Sequence, residues 1–173
     1  KEILPHFGVF MVSDFFVYNN EVYFSAINEG LFKITYKNNI PVIEPVFKFQ
    51  FAYSLGFYNN TIFSGNKGFI DRLKIQDLIS GKTASKSFGK SVVWDFAKDK
   101  NNTLYGAAWG IFDLSGGLYR ITDNEMTNIS EQYGIDSKSL LNVVYNAKKD
   151  ILYVGSKDKG IYEIQLDKTI DYN

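Results

Sequence analysis

The sequence contains no cysteine, a single histidine, three prolines and no excess of charge, with 19 basic and 19 acidic residues among 173. Without cysteine there is no disulfide framework and no thiolate metal site. His6 stands beside Pro5 near the start of the chain, and no Gly-x-Ser-x-Gly nucleophile motif accompanies it, so it reads as structural or exposed. Asp99, Asn101 and Asn102 lack the glycine and distal glutamate of a calcium loop, and a β-turn accounts for them. No metal and no cofactor is expected. Balanced charge leaves no field to hold a polyanion, which argues against a nucleic-acid partner. Long apolar runs and 3.6-residue stripes are also missing, so neither a membrane-spanning helix nor a helical solenoid is expected. The opening Lys1-Glu2-Ile3-Leu4-Pro5 has neither an initiator methionine nor the apolar centre of a signal peptide. The expectation is a piece of a longer protein, with any membrane attachment in segments outside this chain.

Aromatic residues are plentiful: 15 Phe and 12 Tyr contribute to an aromatic share of 17%. Such side chains suit half-buried pleated strands. An internal repeat organises them. Asn20-Glu21-Val22-Tyr23-Phe24-Ser25, Asn60-Thr61-Ile62-Phe63-Ser64-Gly65, Thr103-Leu104-Tyr105-Gly106-Ala107 and Asp150-Ile151-Leu152-Tyr153-Val154-Gly155 share one shape: a polar turn, an aliphatic residue and then an aromatic one, with small residues two or three positions later. With Val22, Ile62, Leu104 and Leu152 equivalent, the offsets are 40, 42 and 48 residues. A second strand opens on glycine in each repeat, at Gly30, Gly68, Gly117 and Gly160, where a short loop is expected to require positive φ. A third precedes each unit, at Asp14-Phe15-Phe16-Val17, Ser54-Leu55-Gly56-Phe57, Trp94-Asp95-Phe96-Ala97 and Asn142-Val143-Val144-Tyr145, with Gly56 expected to break the second of these. Weaker outer strands are expected at 42–49 and 83–88, and single helical turns at 77–80 and 136–140. The fold class expected is all-β: blades of four-stranded antiparallel sheets in a β-propeller, about four blades at 12–50, 51–91, 92–139 and 140–173.

The segments Val93-Trp94-Asp95-Phe96-Ala97 through Ala107, Leu152-Tyr153-Val154-Gly155-Ser156 and Gly117-Leu118-Tyr119-Arg120-Ile121 resemble the two-component regulator propeller repeat. Tyr stands where that repeat has Trp, and Ser156 where it has Thr. The resemblance implies the periplasmic sensor domain of a hybrid two-component histidine kinase of Bacteroides type. It further implies a module on the periplasmic or extracellular side of a membrane-anchored bacterial protein that senses an oligosaccharide or its breakdown products. Rings of that family have more blades than this, so the chain is expected to be part of a larger propeller. A closed ring of four, with 3–10 supplying a last outer strand, is the alternative. An open array would expose blade faces and strand edges, for which self-association or remaining blades are the expected partners.

Propellers commonly bind ligands on the face formed where the inner strands begin and where the second and third strands join. Tyr53, Trp94 and Asp95 occupy the former positions. Trp109, Phe112 and Asp113, in the long loop before Gly116, and Lys157 and Asp158 occupy the latter. A flat ring beside carboxylates suits a sugar face and its hydroxyls. The competing reading is structural: Trp94, Trp109 and Phe112 fill gaps between blades, 157–159 is a solvated turn, and Asp95 bonds the neighbouring blade. No residue spacing argues for catalysis, and no catalytic residue is assigned. The functions expected are a non-enzymatic ligand sensor or, alternatively, a scaffold for protein–protein interaction; a propeller lyase or hydrolase with an incomplete site ranks below both.

Overall fold

A computed structural model describes residues 11–48, 51–79, 86–111 and 115–166. The structure is all-β, with four antiparallel meander sheets in sequence order. The first holds β1 (Val12–Tyr18), β2 (Glu21–Ala26), β3 (Gly30–Lys37) and β4 (Ile40–Phe47). The second holds β5 (Ser54–Tyr58), β6 (Thr61–Gly65), β7 (Ile70–Lys74) and β8 (Lys86–Phe88). The third holds β9 (Val92–Lys98), β10 (Leu104–Trp109), β11 (Gly117–Ile121) and β12 (Met126–Asn128). The last holds β13 (Leu140–Asn146), β14 (Ile151–Ser156) and β15 (Gly160–Gln165). One helical turn, α1 (Ile75–Ile79), follows β7. His6 and the strand expected at 3–10 lie outside the described residues.

Turn chemistry sets these meanders. Two-residue links at Asn19-Asn20, Asn38-Asn39 and Asn59-Asn60 place both asparagines at positive φ, between 48° and 62°. Their twist matches that of the flanking strands. The glycine before the third strand also takes positive φ in every blade, from 82° at Gly160 to 124° at Gly117. Gly56 does not break its strand, which runs unbroken through β5. A Cβ at Gly56 would sit 2.9 Å from Phe96 Cγ, so the missing side chain makes room for the ring of the next blade. Residues 136–140 form no helix either. Leu140 opens β13, and a 3-10 turn lies earlier, at Glu131–Tyr133.

Between consecutive sheets lie three apolar layers. Tyr23, Leu31, Leu55, Ile62 and Leu73 fill the first, Phe63, Ile70, Val93, Leu104 and Ile121 the second, and Leu118, Val143, Leu152, Val154 and Ile164 the third. Each fully buried aliphatic side chain contributes about 1.5–3 kcal/mol, so these layers supply the bulk of the cohesion. Polar clasps set the register between blades. Asp14 accepts the Leu55 N–H at 2.7 Å, Ser54 donates to the Val93 carbonyl at 2.7 Å, and Asp95 accepts the Val143 N–H at 2.9 Å. The ladders make these positions equivalent: Asp14 pairs with Ser25, Ser54 with Gly65, Asp95 with Ala107 and Asn142 with Gly155.

A bulge precedes the clasp residue in blades 1, 3 and 4, where the register shifts around Ser13, Trp94 and Leu141. Around Ser54 the blades approach so closely that a Cβ on Gly65 would lie against both the Val93 carbonyl and Ser54 Oγ. Gly65→Ala is expected to destabilise the chain by about 1–3 kcal/mol, as overpacking against backbone does. A lowered urea midpoint at unchanged slope would record it.

Candidate functional site

The residues just ahead of the clasps stand at one end of the stack, on a bulge at Trp94 and without one at Tyr53. Tyr53, just before the Ser54 clasp, and Trp94, just before Asp95, stack with ring centroids 4.7 Å apart and planes at 28°. Trp109, the last residue of β10, lies 5.9 Å from Trp94 at 45°. Lys157, in the turn after β14, sets its ammonium 5.0 Å from the Trp109 ring centre. Thus Tyr53, Trp94, Trp109 and Lys157, drawn from three blades, form one continuous row. Phe51, not marked in the sequence, and Lys67, in the blade 2 loop that the sequence places on the same face, extend it. Phe51 lies 6.3 Å from Tyr53, and the Lys67 ammonium stands 5.3 Å from the Phe51 ring centre. Lysines therefore close both ends, each gaining the ring's attraction for a cation.

Lys67, Trp109 and Lys157 each fall five residues beyond the aligned positions Ile62, Leu104 and Leu152. That common offset singles out Lys67 within the blade 2 loop that the sequence places on this face. Phe51 follows no repeat and has no such signal. The four rings are half-buried, so the row has an exposed margin as well as a packed one. The indole Nε1 of Trp94 is buried with no hydrogen-bond partner among the described residues.

The remaining expected residues part from the row. Phe112 and Asp113 lie outside the described residues. Asp158 accepts a 2.5 Å bond from Ser137 Oγ, which braces the turn that holds Lys157. Asp95 is turned toward blade 4, and besides the Val143 N–H its carboxylate accepts that of Phe96 at 2.8 Å. Among the described residues no group of three or more His, Cys, Asp or Glu side chains is placed to hold a metal.

Burial pushes the Asp95 carboxyl up to about 6. Its two backbone hydrogen bonds oppose that rise, and the charge of Asp14 adds to it. Asp14 is raised for the same leading reason, burial between blades. A carboxyl that binds its proton more tightly folded than unfolded adds stability below its unfolded pKa, and this is lost as pH rises through the folded value. Stability is therefore expected to fall between about pH 4 and pH 6.5 as Asp95 ionises in place. Melting temperature measured against pH should drop by about 2–5 °C across that window. Asp95→Asn should flatten the slope.

No family model and no curated protein matches the sequence. Solved structures do match in fold. PorZ, a bacterial surface component of the type-IX secretion system of Porphyromonas gingivalis, gives a TM-score of 0.67 at 15% identity over 89% of this chain and 26% of its own. The extracellular domain of a putative hybrid two-component system from Bacteroides thetaiotaomicron gives 0.62 at 17% identity, over 88% of this chain and 21% of its own. A quinonprotein alcohol dehydrogenase-like protein from the same organism gives 0.61 at 15% identity, over 91% and 41%. The chain thus spans between 21% and 41% of the length of these three proteins. At such identities the likeness is one of fold, and the fold they share with this chain is a propeller-like stack of blades.

Proposed function

We propose that this chain is a ligand-sensing propeller module acting outside the cytoplasm within a membrane-anchored regulator, and that it takes a carbohydrate at the Tyr53–Trp94–Trp109 row. The observation that carries this reading is the row itself. Three half-buried rings from adjacent blades meet at one end of the stack, beside a lysine from the fourth blade. Rings presented at a margin offer an apolar surface to the C–H face of a sugar, and neighbouring polar groups meet its hydroxyls. The fold likeness to the extracellular domain of a putative hybrid two-component system supports the sensor part of the reading.

Lys157 bears on how a ligand would arrive. Its ammonium covers Trp109 and is itself exposed, so a sugar must displace it. An exposed cation–π contact is worth only about 0.5–1 kcal/mol, which a stacked sugar recovers while its hydroxyls accept from the freed ammonium. No catalytic role is part of the proposal. The Asp95 carboxylate that could serve as an acid or base is committed to two backbone N–H groups, and the output is mechanical: ligand bridging blades 2, 3 and 4 stiffens their relative placement.

Trp94 and Trp109 are the only tryptophans in the sequence, so intrinsic fluorescence reports directly on the row. Titration with a panel of plant and host oligosaccharides should give a saturable change in emission. Trp109→Ala should weaken binding about tenfold, the equivalent of 1.4 kcal/mol, at unchanged far-ultraviolet circular dichroism. Should Trp109→Ala unfold the chain, the ring is packing and not a ligand contact. A panel without a single saturable response would refute carbohydrate recognition.

A further inference from the structure

The aromatic row carries charge that its rings do not account for. Lys67 and Lys157 come from blades 2 and 4, and each lays its ammonium against the ring at its own end of the row, 5.3 Å from the Phe51 centre and 5.0 Å from the Trp109 centre. Both side chains are exposed. Among the described residues neither ammonium has a carboxylate within ion-pair distance. Neighbouring carboxylates are engaged elsewhere: Asp95 on the N–H groups of Phe96 and Val143, Asp158 on Ser137, and Asp136 on Tyr162 and Lys159. Glu29, exposed in the turn after β2, belongs to a blade that gives no ring to the row. A third lysine, the exposed Lys138, precedes Ser139, which bridges to Trp109. Charge is balanced over the whole sequence, so this surplus of ammonium groups is local.

The blade 2 end of the row is held at a conformational cost. Phe51 takes a φ of 58°, and every other non-glycine residue at positive φ among the described residues is Asn or Asp. A bulky side chain seldom adopts that region, and residues held there concentrate at ligand clamps. The conformation lays the Phe51 ring beside Tyr53 and under the Lys67 ammonium. Each end of the row therefore joins a flat apolar surface to an exposed positive charge. A pyranose that carries a carboxylate or a sulfate matches both halves, its C–H face covering the ring while its anion pairs with the ammonium beside it. A neutral hydroxyl accepts from the same ammonium without the attraction between opposite charges.

We infer that the row selects acidic oligosaccharides, with Lys67 and Lys157 as its specificity-determining residues: each takes one anionic group of the ligand, and the sugar units between them stack on Tyr53, Trp94 and Trp109. This rests on the carbohydrate reading of the row and narrows it to one chemical class. A monosaccharide reaches one lysine only, since the rings of Tyr53, Trp94 and Trp109 lie between the two. An oligosaccharide reaches both and spans blades 2 to 4. Because both ammonium groups are exposed, salt screens what they contribute.

The test titrates the tryptophan emission of the whole chain with tetragalacturonate and its fully methyl-esterified form, and in parallel with a galactan tetrasaccharide in sulfated and unsulfated forms. In at least one pair the charged form should bind about tenfold tighter than its neutral counterpart, as two exposed ion pairs allow. The pair that shows the difference tells carboxylate from sulfate. Raising sodium chloride from about 50 to about 500 mM should weaken the charged form far more than the neutral one. Lys67→Gln and Lys157→Gln should each lower the charged-to-neutral affinity ratio about threefold, and Lys157→Arg should retain it. Both side chains are exposed, so the variants are expected to keep the parent circular dichroism. Equal affinity for charged and neutral forms in both pairs overturns the inference and leaves the carbohydrate reading standing. A ratio that neither Gln variant lowers overturns it as well. Absence of any saturable response overturns both readings together.

Discussion

The side chain that starts each inner strand reaches across to the backbone of the next, and the arrangement of the blades follows from that reach. Apolar layers hold sheets together, but hydrophobic contact is non-directional and would tolerate sliding. A carboxylate or hydroxyl bonded to one particular N–H or C=O does not. Asp14 on Leu55, Ser54 on Val93 and Asp95 on Val143 fix the stagger of three successive sheets. Each bond satisfies a backbone group, or a side chain, whose loss in a buried place costs about 1–3 kcal/mol. The approach they enforce also dictates small residues nearby, as at Gly65 and Gly56.

The same constraint produces the aromatic row. In blades 1, 3 and 4 an extra residue stands ahead of the clasp, and the bulge throws it out of the ladder at the end of the sheet; blade 2 makes its clasp without one. In blade 3 the extra residue is Trp94, and in blade 2 the residue ahead of the clasp is Tyr53. Their stacking is a by-product of two clasps at equal height. Scaffold and candidate site thus share a cause, and the carboxylate of Asp95 lies one residue from the ring of Trp94 while facing a different partner.

Much of this was legible in the sequence, because strand alternation, asparagine turns and glycines at positive φ are local properties. The three inner strands of each blade lie where the repeat placed them, except that the third strand of blade 2 begins at Ile70, two residues after Gly68. The outer strands β4, β8 and β12 were harder to see, since an exposed edge makes little demand on composition. Register was the main loss. Aligning Trp94 with Asp14, Ser54 and Asn142 is off by one residue, because the bulge at Trp94 inserts a position that no composition rule marks. With Asp95 in its place the clasp series becomes visible, and Asp14 joins it. Gly56 was misjudged for a related reason: its role is set by Phe96, which comes from another blade. For the site, Tyr53, Trp94, Trp109 and Lys157 were legible as end-of-strand residues, whereas Phe51 belongs to no repeat.

The alternation of clasp chemistry has a consequence for how such an array can be rearranged. A carboxylate only accepts hydrogen bonds, so blades 1 and 3 must be followed by a blade that offers an N–H, while the hydroxyl of blade 2 faces a carbonyl. Setting blade 1 in the second place would turn the Asp14 carboxylate toward the Val93 carbonyl, lone pair against lone pair. Blades of near-identical shape are therefore not interchangeable parts. Hydrogen-bond polarity gives the array a reading direction and a grammar of neighbours, so a duplication or recombination that preserves it moves blades in pairs.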